Sequence, residues 1–584
     1  MQQDSDSGVK GADLSRLPRE HKRRFIPEQA DLSDPRQVKD LYEDLLARPL
    51  ANAGDIDAFL QHRDELEAAV LQHRSVLYIR MACQTDDAER ASAYRRFLEQ
   101  VQPLLQACEH QLNTVYLDAR KRIGDGGPFY SVYDRDIKAD VAIFSEKNIP
   151  LQTQEAMLSQ DYQTVTGGLT ATFEGQEVTL SKLGTYLYES DRQRRQNAWL
   201  VMADCYQNVA DKLEALFDQM LDLRGRIARN VGFADYRDYK FCQYHRFDYT
   251  PQDCKAFHAA ASEVLVPLQH EMWKRRADEM GLTSLRPWDL VADSEGQEPL
   301  RPFDRPEEFA PAIRTVFERL DPELGRQFAQ LQEEGLLDLL SRKGKAPGGF
   351  QCTLDEARKP FIFMNAAGSD DDVRVLLHES GHAFHTLACA PLPLTAYRHP
   401  PMEFCEVASM SMERLGGARL DGIYTTDQLR RRQRHVAEMT VRLLLSVAAN
   451  DAFQHWLYET PGHTLQQRQE KWIELQNRFG QDVLDWSGLE AFRGTMWQRI
   501  LHFFQVPFYY IEYGIAQLGA LGIWRRALTD FDAALQDYKA SLALGGSRPL
   551  LALFAAAGVP FDFSRRTIQQ AADLLRAEWR QGTG

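Results

Sequence analysis

The sequence predicts a mostly α-helical fold with one small β-sheet. Two observations carry that prediction. Apolar residues recur at i, i+3 and i+4 over most of the 584 residues, and the clearest strand-like run, at 359–365, follows a glycine-bearing stretch. From Val38 to about Arg122 the spacing is helical. Leu41, Leu45 and Leu46 begin one helix, Phe59, Leu66, Val70 and Leu71 mark a second, and Tyr94, Phe97, Val101, Leu104 and Leu105 a third, as in an antiparallel bundle. Residues 124–186 are richer in glycine and turn residues, with short strand-like runs such as Val141–Phe144. Helical spacing resumes from Leu187 to Arg229 and from Phe309 to Arg342, with a loop region marked by Pro287, Pro299, Pro302 and Pro306 between them. Lys359 to Asn365 (K-P-F-I-F-M-N) reads as an edge strand, because a proline near its start has no amide to give a second neighbour. Helices then dominate to the end. The expected organisation is a flexible lead-in over 1–33, a helical bundle over 34–123, a mixed segment over 124–186, and a large domain over 187–584 that holds the motif described below.

Composition bounds the function. A net charge of −15 argues against nucleic acid as the main partner, and the basic run R-R-R-Q-R at 430–434 reads as a solvated helix face. No run of eighteen apolar residues exists, so no membrane span is expected. The amino terminus shows no apolar signal-peptide core, and the eight cysteines (83, 108, 205, 242, 254, 352, 389 and 405) form no C-x-x-C pair and read as reduced core thiols. Together these lead to the expectation of a cytoplasmic protein.

The chemistry is concentrated in H-E-S-G-H-A-F-H, His378 to His385. On a helix His378 and His382 lie one turn apart on the same face, the geometry for two ligands of one zinc ion, with Glu379 placed to hold a water beside the metal. Gly381 inside this helix costs about 1 kcal/mol relative to alanine, which suggests that something approaches the backbone closely there. A catalytic zinc needs three protein ligands and one open position. A histidine ten residues after the first would be one source of the third, but that position is Ala388. Carboxylates on a following helix remain: Glu403, Glu406 and Glu413 in M-E-F-C-E-V-A-S-M-S-M-E-R-L. Glu403 lies near the helix start, where a carboxylate also answers the helix dipole. Glu406 is the favoured ligand; Glu413, two turns on, could orient a ligand histidine or pair with Arg414 or Arg419. His385 reads as a substrate contact or a support for a ligand, since a fourth protein ligand would close the open position.

These residues resemble the thimet oligopeptidase and oligoendopeptidase F family of zinc metallopeptidases. Glu406 follows His378 by 28 residues and Glu413 follows Glu406 by seven, which are the family's offsets. The wording E-V-A-S is closer to the oligoendopeptidase F branch, as are the stretches Gly167–Trp199, Arg286–Leu290 and His502–Gly514, so the resemblance covers about residues 160 to 580. Ile511 departs from it, at a position often aromatic in the branch. The resemblance implies two helical halves enclosing a deep channel that admits short unfolded peptides. It also implies that a histidine and tyrosines of the segment H-F-F-Q-V-P-F-Y-Y-I-E-Y-G contact the substrate carbonyl; by position these are His502, Tyr510 and Tyr513 on a tyrosine-rich helix, with Tyr509 as an alternative.

The expected activity is zinc-dependent hydrolysis of internal bonds in short peptides, with one Zn2+ per chain held by His378, His382 and Glu406. Zinc lowers the pKa of water from about 16 to about 7, and Glu379 would take the proton and deliver it to the leaving amine. Two other readings are an exopeptidase that trims a peptide terminus and a non-catalytic peptide-binding protein with a structural zinc. Glu379 weighs against the last, since a structural site has no use for it.

Overall fold

The computed structural model describes residue 14 and residues 17–582 apart from 125, 304 and 347, so the first half of the expected lead-in lies outside the described residues. Helices dominate, and the strands form one hairpin and one three-stranded sheet. No described helix is long and apolar enough to cross a membrane. The chain divides into two compact units, each assembled from three stretches: residues 1–141, 301–424 and 523–559 in the first, and 142–300, 425–522 and 560–584 in the second.

The first unit opens with the helices Pro35–Leu46, Ala53–Cys83, Ala88–Arg96 and Gln102–Ile123. Their starts are written in the sequence. Asp34 caps the first, with Pro35 at its first position, and Asn52 with Asp55 forms a reciprocal capping box on the second. Val38, Tyr42, Leu45, Phe59, Leu66, Phe97 and Leu112 close into one apolar core, which Ile26 and Leu32 join from residues that carry no regular structure.

Two features differ from the sequence reading. Val141–Phe144 does not form a strand; helix Ser131–Ile143 takes in most of it. Tyr133 and Ile137, one turn apart, are drawn into the same core, and that packing outweighs the local β-propensity of the valine and isoleucine. Strand Lys359–Ala366 is central, not an edge: Phe350–Leu354 pairs with it antiparallel on one side and Leu337–Leu340 parallel on the other. Pro360 is tolerated because the parallel neighbour begins only opposite Ile362, so the strand is still one-sided at the proline. The edges of the sheet belong to the two shorter strands.

The second unit is built on the helices Ile149–Gly167, Arg192–Gln207, Ala210–Asn230, Pro251–Glu279, Thr426–Glu459 and Arg565–Gln581. Strands Thr170–Phe173 and Gln176–Thr179 form a hairpin whose two turn residues, Glu174 and Gly175, both have positive φ, 52° and 79°, the conformation that matches strand twist. Asp289 of the R-P-W-D-L stretch is fully buried. It accepts hydrogen bonds from Arg192 at 2.9 and 2.8 Å and from Arg195 at 3.3 Å, and Arg195 is itself almost wholly buried. The pair is therefore obligatory: removing the carboxylate would leave a buried guanidinium without its counter-charge.

Candidate metal centre

Helix Asp370–Cys389 carries the H-E-S-G-H motif. Ser369 and Asp372 cap it reciprocally, and Asp370, Asp371 and Asp372 place three carboxylates in its positive first turn. Its apolar stripe, Val373, Leu376, Leu377, Ala383 and Phe384, is buried, with the Phe384 ring edge-on to Phe317 at 4.9 Å. Helix Met402–Gly417 packs against it. The crossing depends on two glycines. A Cβ on Gly381 would meet Ser409 Cα at 2.6 Å and the Ala408 carbonyl at 2.7 Å, and one on Gly416 would meet Leu377 at 2.7 Å. The facing helix is thus what approaches the backbone at Gly381. Substituting Gly381 by alanine is expected to destabilise the fold by about 1–3 kcal/mol through overpacking; thermal melting checks this, and an unchanged midpoint would mean that the helices part freely.

This crossing brings His378, His382 and Glu406 together, with ligand atoms all within 4.8 Å of one another. The two rings lie 4.9 Å apart at 82°, and both Nε2 atoms face Glu406 Oε2, at 3.5 Å from His378 and 3.8 Å from His382. Ser409 Oγ donates to the same oxygen at 3.3 Å. Two imidazole nitrogens and a carboxylate converging in this way fit a divalent zinc ion. Glu403 is buried but is not in the cluster. His385 is only 3% exposed; it packs on Phe404 and lies outside the set as well.

The surroundings set the protonation of these groups. His378 Nδ1 donates to Glu413 Oε1 at 2.7 Å, which turns Nε2 to the cluster. Burial alone would lower the His378 pKa, but the Glu413 hydrogen bond and the neighbouring carboxylates lift it to about 9. Burial and the His378 charge push His382 down to about 3. Arg374, 3.6 Å from Glu413, helps to hold that carboxylate ionised against its burial. Arg374 was not singled out in the sequence; its signal is only its place one turn before His378. Burial raises Glu379, 7% exposed, to about 7, while the His378 charge and the backbone N–H of Gln351 draw it back down. Glu413→Gln keeps the shape and removes the charge. It is expected to weaken metal affinity about 10–100-fold, as read by competition with a chelator.

His502, Tyr510 and Tyr513 belong to the second unit, where they form a cluster of their own. His502 Nε2 lies 3.3 Å from the Tyr513 hydroxyl, and its ring sits 4.7 Å from Tyr510; Tyr509 contacts Tyr513 at 5.4 Å. The expected continuous helix is broken. Leu501–Gln505 ends before Pro507, and the next helix begins at Ile511, so Tyr509 and Tyr510 precede it. Phe508 at the break has φ of 66°, held by its N–H on Gln454 at 2.5 Å and by Arg246 on its carbonyl at 2.7 Å. Burial raises the Tyr510 phenol.

The fold has close relatives among solved structures. PZ peptidase A with an inhibitor aligns with a TM-score of 0.87 at 24% identity, over 95% of this chain and 99% of that one. A Bacillus anthracis str. Ames protein provisionally named oligoendopeptidase F aligns at 0.83 and 21%, over 96% and 99%. Oligoendopeptidase F from Enterococcus faecium aligns at 0.64 and 15%, over 94% and 97%. No curated protein matches the chain by sequence. At these identities the likenesses establish the fold. The sequence itself matches peptidase family M3 over residues 185–573, more than half of its length and including both helices of the cluster. The chain therefore belongs to peptidase family M3, and it is a metallopeptidase.

Proposed function

We propose that this metallopeptidase is a zinc-dependent oligoendopeptidase of the oligoendopeptidase F branch, acting in the cytoplasm on internal bonds of short unfolded peptides. The observation that carries the reading is the convergence of His378, His382 and Glu406, with Glu379 next to His378 on the same helix. Zinc held by those three residues supplies Lewis-acid polarisation of water and of the scissile carbonyl. Glu379, with a pKa raised to about 7, is balanced between its two forms near neutral pH, so it can take the proton of the attacking water and return it to the leaving amine. Glu413 keeps His378 in the tautomer that presents Nε2. His502, Tyr510 and Tyr513 donate to the carbonyl oxygen as it gains charge, a contribution of about 3–4 kcal/mol for each such donor.

The substrate backbone pairs with the edge strand Phe350–Leu354, beside the Gln351 amide that faces Glu379. Backbone pairing of this kind reads main chain more than side chains. The test is an internally quenched peptide blocked at both ends, with metal analysis of the same preparation. One zinc ion at the His378 cluster and cleavage at an internal bond are expected. Cleavage only of peptides with a free terminus would instead establish an exopeptidase, and metal content without any hydrolysis would establish a binding protein.

A further inference from the structure

Outside the motif, a second set of metal-ligand side chains lies in the second unit. Helices Pro251–Glu279 and Thr426–Glu459 pack against one another, and each turns a pair spaced i, i+4 toward the other: Cys254 and His258 from the first, Asp451 and His455 from the second. The histidines of the motif use the same spacing. Cys254 Sγ, an Asp451 carboxylate oxygen and a His455 ring nitrogen all lie within 4.8 Å of one another, as the ligand atoms of the His378 set do. His455 Nε2 is 3.4 Å from Asp451 Oδ2, and His258 Nε2 reaches that oxygen at 2.8 Å.

The environment makes this arrangement hard to explain as core packing. Cys254 and Asp451 are fully buried, and His455 and His258 are 2% and 3% exposed. No well-aligned hydrogen bond reaches either ring nitrogen of His455, whose contacts with Asp451 and Glu459 are charge interactions, and Asp451 Oδ1 has no partner. The nearest other charge to His455 Nδ1 is Glu459 at 3.9 Å, beyond hydrogen-bonding reach. Phe241 and Phe508 pack on the His455 ring and offer it no polar partner. An Asp451–His455 ion pair would account for two of the side chains but gives no role to a thiol at ligand distance from both. A thiolate and a carboxylate together neutralise a divalent cation, and a sulfur, nitrogen and oxygen donor set selects zinc over calcium or magnesium.

We propose that Cys254, His455 and both oxygens of the Asp451 carboxylate, whose Oδ1 has no other partner, give four donors to a second, structural zinc ion, with His258 orienting that carboxylate as ligand-supporting groups commonly do. Binding forms a sulfur–zinc bond and releases the Cys254 thiol proton to solvent. The site is sealed from water, so the ion enters as the chain folds and ties the two helices together. It lies apart from the His378 set in sequence and uses none of its residues, so the expectation of one zinc per chain counts only that first set.

The test is cobalt substitution of the full-length chain. The His378 set has only nitrogen and oxygen donors, so thiolate-to-cobalt charge-transfer absorption reports the second site alone. Two cobalt ions per chain and that absorption are expected. His382→Ala is expected to keep the absorption and one ion, which separates this proposal from the fate of the first site. Cys254→Ala is expected to lose the absorption and to fall from two ions to one. A wild-type chain that saturates at one ion without thiolate absorption would overturn the proposal, with no variant needed. So would an absorption that persists in Cys254→Ala, or a His382→Ala chain that binds no metal.

Discussion

Glu379→Gln is expected to keep its metal and lose hydrolysis. The amide has the shape of the carboxylate and still sits beside the Gln351 amide, but it cannot take a proton at neutral pH. None of the ligand atoms of His378, His382 and Glu406 is touched by the change. General acid–base assistance of this type is worth about 10²- to 10⁴-fold in rate, and the loss should fall on kcat more than on KM because the assistance operates in the transition state. The measurement is kcat and KM on a quenched peptide, with zinc content determined in parallel. A variant that retained its metal and hydrolysed at the wild-type rate would remove Glu379 from the reaction.

Glu406→Ala is expected to do the reverse and to lose the ion itself. Glu406 Oε2 is the atom on which both histidines converge, at 3.5 and 3.8 Å, and it lies on the other helix of the crossing. Without it two imidazoles remain, and the site loses the negative charge that offsets part of the cation. The fall in affinity should exceed the roughly 10–100-fold expected for Glu413→Gln, since a direct ligand and not a supporting group is removed. Dialysis followed by metal analysis measures it. Full occupancy of the His378 cluster in Glu406→Ala would show that Glu406 is no ligand. Together the two variants separate holding the ion from using it.

How legible these features were depended on the reach of the interactions behind them. The H-E-S-G-H pair is a relation within one helical turn, and Gly381 announced a close neighbour without naming it. The bond from His378 to Glu413 spans 35 residues, yet it was visible as an alternative because both residues sit on regular helices. The place of Lys359–Ala366 in its sheet was not legible. Whether Pro360 borders an edge depends on where Leu337–Leu340 begins to pair, and no local pattern encodes that register. At Val141–Phe144 a β-branched run was overruled by the distant core that Tyr133 and Ile137 enter. The break at Pro507 had a clear local signal, but the aromatic spacing around it suggested a continuous helix. The pairing of Asp289 with Arg195 joins residues 94 apart, and neither reveals the other.

The alternation of chain segments between the two units has a consequence for biosynthesis. The helix pair that carries His378 and Glu406 has been synthesised once residue 417 is added, but its own unit also draws on residues 523–559. Tyr538, from that late stretch, is fully buried and donates its hydroxyl to the Ala408 carbonyl at 2.8 Å, beside the crossing at Gly381. Until more than a hundred further residues have been translated, the nascent crossing therefore stands partly uncovered, with apolar surface open to chaperones or to mispairing. Truncating the gene before codon 538 would remove this cover from a centre whose ligands were all encoded long before.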